Sequence, residues 1–427
     1  MGRTFASLFK NKEIRKKIFF TLAMLLIYRV GSAIAVPGVN TTTLSSQIAD
    51  NSILNMMNLL GGGALEKLSI FAMGVTPYIT ASIIIQLLSM DVIPALTEMT
   101  KSGQTGRMKM EKITRYLGVV LSFVQAYSLV YGFDKQYAIL ENANLSGYLY
   151  TATVLTAGTM FLIWIGDRIS MKGIGNGISI IIFAGIVANI PSNFMQVYNV
   201  LVAGSSSSEM FNGILQFALY CALYLVIIVF VIVMETAVRK IPIQYTNSTT
   251  TRSGSDITFL PLKINSASVI PVIFAQSIIT APQIVISFFN TDLYTTLSNW
   301  LSLTSWTGLL LYALLTVLFT FFYTDLQVDP EQMADNLGKS GAYIPGIRPG
   351  SETKTYLHKV LNRITVLGAA ALTIVAVIPY ILPMFTSLPK STSIGGTGII
   401  IVVGVALETM AQLKGQLTQK QYHGFLR

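Results

Sequence analysis

The chain has 427 residues and a formal net charge of +10; 52% of the residues are hydrophobic and 11% are charged, and the mean hydropathy is +0.61. Soluble globular proteins carry roughly 25% charged residues, so this composition excludes a water-exposed body of this size. One cysteine, Cys221, and two histidines far apart in sequence exclude a disulfide framework and argue against a metal centre. We therefore expect no metal and no other cofactor.

Long apolar windows follow one another along the chain, and windows of about 18 or more such residues are typical of helices that cross a bilayer. The alternating segments of about ten residues that indicate a membrane β-barrel are absent from the sequence. The predicted fold is an all-α polytopic membrane protein with ten transmembrane helices in two pseudo-symmetric five-helix halves. The predicted spans are residues 17–36, 75–90, 113–131, 149–165, 178–190, 214–234, 269–289, 306–323, 364–382 and 398–413.

The basic residues are distributed unevenly between the loops that these spans define. All but four of the 29 lysines and arginines lie on the side that carries both termini. Lys67, Lys135 and Lys390 lie on the other side, and Arg29 lies within the first span. Because Lys and Arg accumulate in cytoplasmic loops, both termini are predicted to be cytoplasmic. This asymmetry explains the net charge without DNA as a partner, and it leaves an acidic or RNA-rich cytoplasmic partner open.

A short apolar segment, residues 53–60, precedes the second span on the predicted external side and ends at Gly61, Gly62 and Gly63. It is too short to cross the bilayer. The pattern is typical of a re-entrant segment that folds into a cavity, and equally of a helix that lies flat on the membrane. The residues alone leave both interpretations open.

The second and seventh spans are more polar than a lipid-facing helix, because each carries a proline together with Gln and hydroxyl side chains. Polar groups at membrane depth need a protein partner or a water-filled cavity. Taken together, the polar residues of these two spans favour an aqueous path, although any single one of them more often forms a hydrogen bond between helices. Aligned on their prolines, the two spans match at three positions, which indicates related halves or chance similarity of apolar helices. The pairs are Pro77 with Pro271, Ile79 with Ile273 and Ala81 with Ala275.

Two loops on the predicted cytoplasmic side, residues 238–268 and 327–362, are long for connectors in a compact bundle. Long loops without obvious regular structure are usually functional or disordered. In the second loop, prolines and glycines surround Arg348 and predict a stiff turn that displays one cation. An ordinary solvated arginine is the alternative.

Motifs for catalysis are absent from the sequence: there is no G-x-x-x-x-G-K-[ST], no H-E-x-x-H and no G-x-S-x-G. The chain is therefore not expected to be an enzyme. Ion-coupled transporters generally carry ionisable residues at the membrane midplane, whereas the polar spans here are neutral and rich in isoleucine. A hydrophobic constriction in an aqueous path excludes water and small ions, which suits a pore for large and varied cargo.

Several segments, in order along the chain, carry a family resemblance: residues 28–31, 36–39, 69–74, 77–88, 173–185, 260–265, 334–337, 339–350 and 395–397. In these segments the chain resembles the SecY family, and the resemblance extends over essentially its whole length. It implies an hourglass-shaped protein-conducting channel that moves unfolded secretory polypeptides across the bacterial plasma membrane and inserts membrane proteins into it. A secondary transporter of a small solute is the alternative function.

The resemblance also implies domains and site residues. The N-terminal half would be residues 1–190, including a plug at 55–65, and the C-terminal half residues 191–427. The implied pore ring is Val75, Ile79, Ile178, Ile182, Ile273 and Ile401. The implied plug residues are Asn55, Met56, Met57, Leu59, Leu60, Gly61, Gly62 and Gly63. The implied lateral gate, between spans two and three on one side and seven and eight on the other, contains Thr80, Gln86, Gln125, Gln276 and Ser277.

The partners that the resemblance implies are the membrane subunits SecE and SecG, the SecA ATPase, a translating ribosome, signal sequences, unfolded polypeptides and membrane lipid. The implied contacts for the motor or the ribosome are Arg348, Lys339, Arg239, Lys240 and Arg252. The chain departs from the family pattern where the loop after Tyr245 stays neutral until Arg252, and where Arg107-Met108 replaces a double arginine. These departures leave room for an accessory channel with a narrower range of cargo.

Overall fold

The computed structural model describes residues 11–40, 63–89, 93–140, 143–203, 210–245, 258–286, 300–303, 305–385 and 396–424. These residues form twelve α-helices and three short strands. The helices are α1 Lys12–Ala33, α2 Thr76–Leu88, α3 Pro94–Lys101, α4 Gly103–Tyr137, α5 Leu145–Lys172, α6 Gly177–Tyr198, α7 Met210–Thr236, α8 Ile270–Ile286, α9 Trp306–Gln327, α10 Pro330–Lys339, α11 Ser351–Phe385 and α12 Gly396–Gly424. The strands are β1 Val238–Tyr245, β2 Thr258–Lys263 and β3 Ala342–Tyr343.

Each of the ten predicted spans falls on a helix, and α3 and α10 are two further short helices in the connecting segments. Seven of the described helices are long and apolar enough to cross a membrane by length and composition, and α2 and part of α8 are apolar but shorter. Pro77 and Pro271 both lie in the first turn of their helices. A proline is tolerated there because its missing N–H would have no partner within the helix. The protein is a multi-pass membrane protein.

The spanning helices pack as two groups. In the N-terminal group, the main contacts are α1 with α5 and α6, α2 with α4, α4 with α5, and α5 with α6. In the C-terminal group, they are α7 with α11 and α12, α8 with α9, α9 with α11, and α11 with α12. Contacts between the groups join α4 to α8 and α6 to α12. The C-terminal end of α6 also packs on α7, where Phe194 contacts Tyr220 and Tyr224. The largest apolar cluster contains residues of both groups.

The long loops 238–268 and 327–362 contain regular structure that the sequence analysis did not predict. Strands β1 and β2 form an antiparallel hairpin with register Val238↔Lys263 through Ile243↔Thr258, and β1 also pairs with β3 at Gln244↔Tyr343. The prolines Pro242 and Pro261 obscure the strands in the sequence, because a proline cannot donate to a sheet and demotes a strand pattern. The pairing with β3 joins loops far apart in sequence, which no local pattern reveals.

Candidate pore and loop platform

The six predicted ring residues come from four helices and lie together in the largest apolar cluster. Val75 is the N-cap residue of α2, Ile79 lies on α2, Ile178 and Ile182 on α6, Ile273 on α8 and Ile401 on α12. Val75, Ile182 and Ile401 are buried, with 3%, 7% and 3% of their surface exposed. The other three are half-buried and pack against the same cluster. Aliphatic side chains from both helix groups therefore belong to one continuous apolar cluster.

Local chemistry fixes where α6 presents its two isoleucines. The Asn176 side chain accepts hydrogen bonds from the backbone N–H groups of Ile178 (3.1 Å) and Ser179 (3.4 Å) and so caps the helix. A Cβ on Gly177 would lie 1.9 Å from the Gly166 carbonyl oxygen of α5, so only glycine permits this approach of α6 to α5. On the other side, a Cβ on Gly398 of α12 would lie 3.2 Å from Ile186. The helix is thus held between α5 and α12 with Ile178 and Ile182 in the shared cluster.

The five predicted gate residues lie on three helices, α2, α4 and α8, and all five are half-buried. Thr80 Oγ1 donates to the Thr76 carbonyl at 3.1 Å and Gln86 Nε2 donates to Ser82 Oγ at 3.4 Å, so both bonds stay within α2. Gln125 lies on α4, and Gln276 and Ser277 lie on α8. Because α4 contacts α8, these polar side chains are carried by helices on either side of one seam between the groups.

Of the predicted plug residues, only Gly63 lies within the described residues, and Asn55 to Gly62 lie outside them. Gly63 has a φ of +80°, a conformation that glycine adopts without strain. A Cβ on it would lie 3.1 Å from Asn189 Oδ1 on α6. The following residues, Ala64 and Leu65, are fully buried. The chain that follows the predicted plug segment is therefore anchored in the N-terminal group.

The loop platform comprises β1, β2, β3, α10, the turn 344–350 and the first turns of α11. A separate apolar cluster holds it together and includes Ile241, Leu262, Leu337, Ile344 and Leu357. The Tyr343 hydroxyl donates to Gln244 Oε1 at 3.0 Å and links the two loops. The predicted contact residues on it are exposed, and Arg252 lies outside the described residues. They are Arg239 and Lys240 on β1, Lys339 at the end of α10, and Arg348.

The turn that carries Arg348 is held by backbone and side-chain bonds. Ile347 N donates to the Ile344 carbonyl at 3.1 Å, and Thr353 Oγ1 donates to the Arg348 carbonyl at 2.9 Å. Gly346 and Gly350 have φ of +82° and +102°, which side chains with a Cβ rarely adopt. The structure therefore shows a hydrogen-bonded turn at this position, and Arg348 is exposed on it.

Comparison with known proteins agrees with this architecture. Residues 69–410 match the family model described as SecY. The chain belongs to the SecY family. It is 46% identical to the protein translocase subunit SecY of Staphylococcus carnosus, over 100% of this chain and 99% of that protein. It is also 46% identical to the SecY subunit of Bacillus subtilis, over 100% of both chains.

Solved structures show the same fold at lower sequence identity. One, described as "The structure of a protein conducting channel", has a TM-score of 0.67 and 19% identity and covers 93% of this chain and 91% of that chain. Another, Sec61 in the canine ribosome-channel complex from the endoplasmic reticulum, has a TM-score of 0.64 and 18% identity with the same coverage. The predicted family and the predicted fold class are confirmed.

Two polar contacts of this SecY-family chain, one made by Asp167 and one by Glu235, were not predicted from the sequence. Arg115 Nη2 on α4 bonds Asp167 Oδ2 of α5 at 2.8 Å and Glu111 Oε1 at 2.9 Å. Glu235 Oε1 accepts from Asn265 Nδ2 at 2.7 Å. The Arg115–Asp167 and Glu235–Asn265 bonds join residues distant in sequence, whereas Glu111 lies four residues before Arg115 on the same helix. The sequence signal for the second contact was the position of Asn265, which is the last residue of the family segment 260–265 and lies shortly before the polar seventh span.

Proposed function

We propose that this chain is the pore-forming subunit of a protein translocase, a passive channel that moves unfolded secretory polypeptides across a bacterial plasma membrane and inserts membrane proteins into it. Membership of the SecY family and the channel fold support this proposal. The observation that carries it is that one apolar cluster includes all six of these aliphatic side chains, which come from four helices and both helix groups. The family gives no support to the alternative of a small-solute transporter.

The ring seals because its members are aliphatic. A hydrophobic constriction in an aqueous path excludes water and ions, and branched side chains shift to accommodate a passing chain of any sequence. The half-buried members Ile79, Ile178 and Ile273 line the opening. The other members, Val75, Ile182 and Ile401, are buried.

The channel is built from two halves, residues 1–190 and 191–427, that part at a lateral gate. The contact pattern supports this division, because the five contacts within the N-terminal group have counterparts in the C-terminal group. Numbering the spans in order, the second meets the third, the third meets the fourth, the fourth meets the fifth, and the first meets the fourth and fifth; spans six to ten repeat this pattern. The seam of α4 with α8 is the gate, and a signal sequence leaves it sideways to enter the lipid. The residues that make the gate polar are Thr80, Gln86, Gln125, Gln276 and Ser277.

The chain performs no catalysis itself, and the energy comes from SecA, a translating ribosome or the proton-motive force. SecE and SecG are its membrane partners. The loop platform is the docking surface for SecA or the ribosome, with Arg348 at its centre and Arg239, Lys240, Lys339 and Arg252 as further contacts. Its exposed cations support this assignment, as does a cytoplasmic location of both termini and of this platform under the positive-inside rule.

A crosslinking experiment tests the pore assignment. In a Cys221→Ala background, a cysteine is placed by Ile79→Cys in the ring or by Leu219→Cys on α7, where the leucine is 68% exposed and faces away from the cluster. With a stalled secretory chain in the channel, we expect a crosslink from position 79 and none from position 219. Equal crosslinking at the two positions, or none at 79, contradicts the proposal.

Ion conductance tests the seal. Ile79→Ser and Ile273→Ser together should raise the conductance of the reconstituted channel, because both remove a branched apolar side chain from the opening. Leu219→Ser is the matched control on the exposed face of α7. A double variant that conducts no more than this control counts against a hydrophobic ring.

A further inference from the structure

The turn between β2 and α8, residues 264–269, is unusually well buried for a connection between a surface hairpin and a membrane helix. Asn265, Ala267 and Val269 are only 3%, 0% and 8% exposed. It links two parts with different proposed roles, the loop platform before it and the ring-bearing helix α8 after it. We refer to residues 264–269 as the coupling turn.

Hydrogen bonds extend the hairpin ladder through the coupling turn to the end of α7. The last strand pair is Val238↔Lys263. Beyond it, Ile264 N donates to the Ala237 carbonyl at 3.0 Å. Asn265 Nδ2 then donates to Glu235 Oε1 at 2.7 Å and to the Ser268 carbonyl at 3.2 Å. The Asn265 amide therefore adds a side-chain hydrogen bond at the base of the hairpin and also forms a hydrogen bond within the coupling turn.

Two glycines hold the coupling turn against the other helices of the C-terminal group. A Cβ on Gly368 of α11 would lie 2.6 Å from the Ile264 carbonyl oxygen. A Cβ on Gly404 of α12 would lie 3.4 Å from Val269 Cγ2. Ser268 has a φ of +54°, a conformation uncommon for a residue with a side chain. The coupling turn is thus closely packed, and this packing restricts movement of the β1–β2 hairpin relative to α8.

We infer that Asn265 is a positioning residue that transmits a displacement of the loop platform to α8 and so to the ring. This inference rests on the proposed function and adds the route by which a docked partner opens the pore. A partner on Arg239 and Lys240 moves the β1–β2 hairpin. Since the hydrogen bonds of the Asn265 side chain join the base of the hairpin to the coupling turn, the turn moves together with the hairpin and does not deform. Ile273 lies in the first turn of α8 and its N–H donates to the Val269 carbonyl, so the movement reaches the ring directly.

The test compares variants of the full chain, reconstituted in vesicles with its membrane partners, in three measurements: SecA affinity, basal ion conductance and SecA-driven translocation of a secretory protein. Asn265→Ala should leave the first two close to wild type and lower translocation about tenfold, the factor that one lost buried hydrogen bond supplies. Ser266→Ala is the matched control, because that hydroxyl donates to the Lys263 carbonyl at 3.0 Å within the same segment. It should translocate like the wild type.

The other side of the bond provides a second pair of variants. Glu235→Ala removes the acceptor and should reproduce the defect of Asn265→Ala, with no further loss in the double variant. Glu235→Gln retains an oxygen that accepts from the amide and should restore translocation. Lys263 and Glu408 are charged neighbours of Glu235. A loss of activity in Glu235→Gln equal to that in Glu235→Ala would therefore assign the effect to charge and overturn the inference. The Glu235 pair decides the question even if Asn265→Ala does not accumulate.

The remaining outcomes separate this inference from the proposed function. Wild-type translocation by Asn265→Ala overturns the coupling role and leaves the channel assignment standing. Loss of SecA binding, or a leaky pore in Asn265→Ala, overturns it as well, because either result indicates a structural role. A wild-type chain that fails to translocate with SecA contradicts the proposed function itself.

Discussion

The approach of α5 to the chain before α2 leads to a sharp prediction about Gly158. Gly158 lies on α5, and a Cβ at this position would lie 2.0 Å from the Ile70 carbonyl oxygen and 2.9 Å from the Ile70 carbonyl carbon. Contacts of a Cβ below 3.0 Å are essentially never seen. The substitution Gly158→Ala must therefore move backbone, since no flexible side chain is available to yield.

The displacement and its cost follow from the same geometry. An ordinary contact requires the backbone to separate by about 1 Å or more, and forcing extra volume into a packed interior costs about 1–3 kcal/mol. Ile70 resists the movement because its N–H donates to the Ile34 carbonyl at 3.0 Å, and Ser69 forms a bridge with Ala35. The strain therefore passes along the chain towards Val75, which belongs to the proposed ring.

Thermal unfolding of the purified protein and ion conductance of the reconstituted channel measure this effect. Gly158→Ala should lower the unfolding temperature and raise the conductance. Gly415→Ala on α12 is the matched control, because nothing lies within 4 Å of a Cβ there and Ala is favoured over Gly in a helix by about 1 kcal/mol. The same substitution should thus have opposite effects on stability at the two sites. If Gly158→Ala is as stable and as well sealed as Gly415→Ala, the reasoning from close backbone contact is wrong.

Two further predictions concern other parts of the fold. Tyr148→Phe should lower the free energy of unfolding by about 1.5–3 kcal/mol, because the buried Asp134 carboxylate loses the hydroxyl that donates to it. Tyr150 is an exposed neighbour, so the control variant Tyr150→Phe should have no measurable effect. Equal unfolding curves for the two variants would contradict the prediction. Leu357→Ala, at a fully buried position in the platform cluster, should cost about 2–5 kcal/mol and weaken SecA binding while the pore stays sealed. Leu367→Ala on the exposed face of α11 is its control. If both variants bind SecA as the wild type does, the packing of the platform does not determine docking, and the prediction is wrong.

The membrane helices could be predicted from sequence because they depend on composition over a long window. Each of the ten predicted spans coincides with a helix, but α4 begins at Gly103 and α11 at Ser351, well before the apolar windows start. In both cases the helix continues through a charged segment on the side of the basic loops. Hydropathy reports the part of a helix that lies in lipid, whereas the backbone hydrogen bonds continue for as long as the residues permit.

The platform and the coupling turn were predicted poorly because their order comes from pairs of residues that are distant in sequence. Gln244 pairs with Tyr343 from another loop, and Asn265 meets Glu235 across the whole hairpin. Asn265 taken alone is typical of a turn residue. The ring residues were inferred from family resemblance, and hydropathy alone would not have distinguished Ile79 from the many other isoleucines of the spans.

Two of the contacts between the helix groups indicate how a ring of this kind would open without coming apart. Ile182 and Ile401 lie on α6 and α12, which contact each other directly across the groups. Ile79 and Ile273 lie on α2 and α8, whose link is less direct, since α2 packs on α4 and α4 meets α8. Separation at the α4–α8 seam would carry Ile79 and Ile273 apart while α6 and α12 stay together, so the halves would pivot about the buried side of the ring. A displacement of α8, the helix that the coupling turn holds to the platform, is then the movement with the greatest effect on the opening.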